Sequence, residues 1–209
     1  MKGLLLKDFY LVTKYCRTYF LIAAVFIAVS FVSDGNLFYI VYPSLLSGMV
    51  PTTLLAYDER SRWNEYIGTL PYTKAQIVSG KYITGLAVQI LVLVLIGIAQ
   101  AVRMCANGVF DIKDYMSLIS VLFVASCVAS SLTLPFIFKW GVEKGRLAYF
   151  VIVGIGCAGA VAVQSFFYVQ PQMKIPTGVI FPVSCIAGIF LYALSWYLSI
   201  VFYKKREIK

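Results

Sequence analysis

Ionisable side chains, which carry most catalytic and coupling chemistry, crowd into a few short segments of this chain. The densest is Asp58 to Lys81, DERSRWNEYIGTLPYTKAQIVSGK. Its acidic and basic residues are interleaved with Trp63, Tyr66, Ile67 and Leu70, whose intervals of three, one and three form the apolar stripe of a short amphipathic helix. The pattern predicts a helix over Glu59 to Leu70, ended by Pro71. A second helical start follows, with Thr73 as N-cap and Ala75, Ile77 and Val78 behind it. An exposed helix bearing Trp, Tyr and Arg suits two uses. It can anchor in a partner's groove, or lie on lipid with Trp63 and Tyr66 in the interfacial aromatic belt.

Other chemistries find little support. There is no histidine, which removes imidazole bases and imidazole metal ligands. Cys16, Cys105, Cys127, Cys157 and Cys185 stand singly, without a C-x-x-C pair, and read as small packed residues. Gly154, Gly156 and Gly159 spell G-x-G-x-x-G, but a dinucleotide site needs a preceding strand and a βαβ unit, and this run lies inside an apolar stretch. Those glycines, with Ala158 and Ala162, read instead as shallow grooves for close helix approach.

The elements that hold these residues are set by where charge is missing. Six stretches, Tyr15 to Val32, Leu37 to Tyr57, Tyr82 to Val102, Tyr115 to Phe138, Leu147 to Val169 and Thr177 to Tyr203, contain Arg17 near one end and no other Lys, Arg, Asp or Glu. Each is long enough to cross a bilayer, for which about 20 residues are needed. The expected fold is all-α, a polytopic membrane protein with six transmembrane helices in a single domain over residues 1–209. Residues 1–14 form an amphipathic interfacial segment and residues 58–81 a cytoplasmic loop. The first apolar run is longer than a signal-peptide core and reads as a retained span. No loop is long enough for a nucleotide-binding or catalytic domain of ~100 residues.

Fifteen of the 18 basic residues lie in the first, third, fifth and last non-membrane segments, which places both termini in the cytoplasm. That asymmetry accounts for the net charge of +9 without nucleic acid. Within the second span, Pro43 and Pro51 frame Ser47 and Gly48 and predict a bend. Pro43, Ser47, Gly48 and Pro51, with Gly154, Gly156, Gly159 and Gln164 in the fifth span, are candidates for helix packing, a dimer contact or a solute path. Neutral polar residues inside spans, among them Gln89, Ser126, Ser130, Ser131 and Ser195, suit interhelical hydrogen bonds. No titrating side chain is expected at membrane depth, so ion coupling has no obvious carrier. The energy for moving a solute should then enter at the cytoplasmic surface.

The string D-E-R-x-x-W-x-x-Y-I-x-x-L-P-x-x-K-x-x-I-V-x-x-K-Y at Asp58 to Tyr82 resembles the cytoplasmic loop of ABC-2 type permeases, the membrane subunits of ATP-binding-cassette exporters. The order of parts is similar along the whole chain. The resemblance implies that Glu59 to Leu70 is a coupling helix, with Asp58, Glu59, Arg62, Trp63, Glu65 and Tyr66 facing a separate ATPase. It implies two such ATP-binding subunits, a second and identical permease chain, and spans two and five near the dimer axis. The chain itself would be no enzyme and bind no cofactor, with ATP and magnesium held by the partner. The location would be a bacterial plasma membrane and the cargo an amphipathic peptide, lipid or drug. Two rival classes, an ATP-independent channel or facilitator and a membrane-embedded enzyme, would need a polar pore stripe or a buried acid-base set.

Overall fold

The computed structural model describes residues 2–32, 38–108, 111–147, 150–151 and 177–205, and the described residues are almost entirely helical. Helix α1 (Lys2–Tyr15) meets α2 (Arg17–Val32) at a bend of 58° beside the fully buried Cys16. Then come α3 (Phe38–Gly48), α4 (Val50–Arg60), the five-residue α5 (Trp63–Ile67), α6 (Lys74–Ala106), α7 (Ile112–Trp140) and α8 (Thr177–Lys205). A short helical stretch at 142–147 follows α7.

Among the described residues four helices are long and apolar enough to cross a membrane, Phe38–Arg60, Lys74–Ala106, Ile112–Trp140 and Cys185–Lys205, and the bent α1/α2 pair is long and apolar enough for a fifth if its two halves form one span. The fifth expected span, Leu147 to Val169, falls almost wholly outside the described residues, and Gly154, Gly156, Gly159 and Gln164 with it.

The second expected span is interrupted, as its prolines predict, but at Met49 rather than at either proline. Pro51 sits in the first turn of α4, where its missing N–H costs nothing. The helix restarts there, with Thr53 N–H bonded to Met49 O. Pro43, Ser47, Gly48 and Pro51 all turn inward, against helices of the same chain. A β-carbon at Gly48 would lie 2.7 Å from the Ser126 carbonyl oxygen and 2.9 Å from Ala129 Cβ, and one at Gly85 would collide with the Pro51 ring. Glycine at both positions is what lets the broken helix press onto α7 and α6.

Hydrogen bonds between spans are present at some of the expected residues and at Ser44, while the Ser126 and Ser131 hydroxyls donate to carbonyls of their own helix. Gln89 Nε2 donates to Ser130 Oγ (2.6 Å), Ser44 Oγ to the Leu122 carbonyl (2.7 Å), and Ser195 Oγ to the Ser131 carbonyl (2.8 Å). Two apolar clusters fill the bundle. One joins Val12, Ile40, Leu54, Val92 and Leu122, and the other joins Leu4, Ile67, Val78, Leu134, Phe138 and Tyr203. The second cluster gathers the start of α1, α5, the start of α6 and the ends of α7 and α8 at one end of the bundle. The outer face of α8, with Ile186, Ile189, Phe190 and Tyr197 exposed, is apolar, as a lipid-facing helix must be.

Candidate functional site

Between the two apolar clusters lies a set of four charges. Lys81 Nζ donates to Asp8 Oδ1 at 2.6 Å and pairs with Asp58 Oδ2 at 2.5 Å. Lys7 Nζ donates to Asp58 Oδ1 at 2.7 Å and lies 3.2 Å from Asp8 Oδ1. The side chains of Asp8 and Lys81 are 0% and 1% exposed. Two carboxylates and two ammonium groups cancel, which is the condition for keeping charge inside a bundle. Each of the three deepest charges follows a buried apolar residue by four positions, Leu4 before Asp8, Leu54 before Asp58 and Ile77 before Lys81, so helical geometry places each on a buried face. The cluster ties α1, α4 and α6 together at the end that carries most of the lysines and arginines.

The segment beyond it differs from the expected helix over Glu59 to Leu70. Glu59 and Arg60 complete the last turn of α4, whose helix stops at Ser61. Arg62 takes a left-handed backbone conformation (φ +54°), unusual for a side-chain-bearing residue, and starts α5 in a new direction. The apolar stripe that suggested one longer helix is divided among environments: Ile67 is in the core, Trp63 is half-buried and Tyr66 is 57% exposed. Trp63 is held from above by Lys7, whose Nζ sits 4.3 Å from the ring centroid, so the tryptophan is linked to the ion cluster. Thr73 is the expected N-cap, and its pairing with Gln76 completes a capping box that starts α6.

Of the six residues singled out in this loop, Glu59, Arg62, Glu65 and Tyr66 are exposed and Trp63 is half-buried. Asp58 departs from the expectation of a partner-facing residue, because its carboxylate is spent on Lys7 and Lys81.

Glu59 reaches the other charged segment at this end. Its Oε2 accepts the backbone N–H of Val142 at 2.9 Å. Gly141, at φ +87°, ends α7 and allows the chain to turn into 142–147, whose first N–H groups favour a carboxylate. Between the two segments opens a cleft of about 700 Å³, lined among others by Glu59, Arg60, Glu143, Lys144 and Arg146. Sequence reasoning missed this cleft and the ion cluster alike. Asp8 and Lys81 had a signal, a charge in the register of an apolar stripe. The 83-residue reach from Glu59 to Val142 had none.

Among the described residues no group of three or more His, Cys, Asp or Glu is placed to hold a metal ion. The fold is that of a multi-pass helical membrane protein, with most of its charges at one end of the bundle. The chain belongs to the ABC-2 family of transporter proteins: the family described as ABC-2 family transporter protein matches residues 3–204, nearly its whole length. No curated protein and no solved structure matches the chain. The family is a membrane transport component and not itself catalytic.

Proposed function

We propose that this chain is the permease subunit of an ATP-driven exporter, and that the exposed face of Glu59, Arg62, Glu65 and Tyr66, together with the cleft against 142–146, seats a separate ATPase. The basic end of the bundle then faces the cytoplasm, in keeping with the distribution of Lys and Arg. The observation that carries this reading is the Glu59 to Val142 hydrogen bond, which makes one surface of the segment that precedes α6 and the segment that follows α7. A partner that grips this surface pulls on α4 and α7 together. Through Asp58, Lys81 and Asp8 the same pull reaches α6 and α1. ATP and magnesium belong to the partner, closure of two ATPase chains supplies the motion, and a second copy of the permease completes the path for an amphipathic cargo.

The test is purification of the affinity-tagged full chain from its own membrane. We expect it to bring down a protein whose sequence carries a P-loop and which hydrolyses ATP, in equal number with the permease. Recovery of the permease without any nucleotide-binding chain overturns the reading.

A further inference from the structure

We infer that the cleft between α6 and α8 holds one acyl chain of an anionic phospholipid from the cytoplasmic leaflet. The inference rests on the proposed orientation of the bundle and not on the ATPase partner. The cleft encloses about 310 Å³ between Ile83, Leu86, Phe123, Ile189, Ala193 and Trp196. Its walls also include hydroxyl-bearing residues, but their polar atoms are occupied within the protein. Ser79 Oγ donates to the Ala75 carbonyl and accepts from Trp196 Nε1, at 2.7 and 3.1 Å. The Tyr82 hydroxyl pairs with Ser195 and Ser199, and the Tyr192 hydroxyl donates to the Tyr82 carbonyl.

What remains for a ligand is carbon. A peptide would leave its backbone N–H and C=O groups without partners in such a groove, whereas a hydrocarbon chain needs none.

Position and charge select the lipid. From Ser79 to Leu86 on α6, and from Trp196 back to Ile189 on α8, the walls run for roughly 10 Å, most of a ~15 Å leaflet. At the mouth, Trp196 has the amphipathic ring favoured at a headgroup boundary. Farther out, Lys74 Nζ donates to the Lys204 carbonyl at 3.3 Å, so the ends of the two helices meet about two turns beyond Trp196, where α8 carries the exposed Lys204 and Lys205. An acyl chain in the groove brings its phosphate toward that basic end of α6 and α8.

The full chain in nanodiscs, given phosphatidylglycerol or phosphatidylcholine carrying the same mid-chain diazirine, tests this. We expect photolabel on 79–86 and 189–196, about fivefold more from the anionic lipid. Ala193→Trp, at an exposed position on the groove wall, should abolish the label. Lys204→Gln with Lys205→Gln should equalise the two lipids without disturbing the core. Equal labelling of the unaltered protein by both lipids, label that persists in Ala193→Trp, or displacement of the lipid by an amphipathic peptide overturns the inference. Loss of the ATPase in the co-purification above leaves it standing.

Discussion

Replacing Lys81 with methionine is expected to destabilise the folded chain by about 3–5 kcal/mol, the cost of leaving a buried charge without its partner. Lys81 is the hinge of the ion cluster. It touches both Asp8 and Asp58, and without it two carboxylates share the single ammonium of Lys7, with a net negative charge inside the bundle. Methionine has similar length and keeps the stem's contacts with the surrounding helices, so little of the loss comes from packing. The double variant Lys81→Met with Asp8→Asn leaves only the Lys7 to Asp58 pair and should regain more than half of the lost stability. Unfolding of the purified chain by denaturing detergent, followed by tryptophan fluorescence, gives these differences. A Lys81→Met chain within 1 kcal/mol of the unaltered one contradicts the cluster's structural role.

The second large effect concerns the proposed docking face. Tyr66 is 57% exposed, while Trp63 beside it is partly packed into the core and lies under Lys7. Truncating Trp63 therefore mixes lost stability with lost binding, and Tyr66 separates them. Tyr66→Ala should weaken binding of the ATPase by about 30-fold, the size of an aromatic anchor worth ~2 kcal/mol. It should leave the unfolding curve of the isolated permease unchanged. Titration of labelled ATPase onto permease in nanodiscs reads the first quantity. Unchanged affinity with Tyr66→Ala places the partner elsewhere.

Much of this architecture was legible in the sequence because it depends on composition over long windows. The apolar runs at Tyr82 to Val102 and Tyr115 to Phe138 lie inside α6 and α7, as a charge-free stretch of that length in a bilayer must. The Thr73 cap was legible because capping is local: the hydroxyl and the N–H it satisfies are three residues apart. What was not legible depends on other helices. The break at Met49 answers to the approach of α6 and α7 at Gly85 and Gly48, not to the prolines alone. Counting charges loop by loop treats Lys7, Asp8, Asp58 and Lys81 as solvated, although Asp8, Asp58 and Lys81 are buried by contacts from distant helices.

The cluster also bears on the source of energy. The charge-free stretch of α6 begins at Tyr82, and Lys81 stands one residue before it, buried among protein rather than lipid. Buried carboxylates can carry protons in ion-coupled transporters. Here each is paired with a lysine within 2.7 Å in a closed set of ion pairs, an arrangement that suits a structural role and accords with the proposed ATPase partner as the source of energy.

Uptake by liposomes decides between these sources. Permease and ATPase are reconstituted together, and permease alone in parallel, and a set of fluorescent amphipathic solutes is offered under ATP or under a proton or sodium gradient. We expect at least one solute to accumulate with the complex and ATP, and none with the permease and a gradient. Accumulation by the permease alone, driven by an ion gradient and lost in Asp8→Asn, would contradict ATP-driven export and make the buried charges the engine.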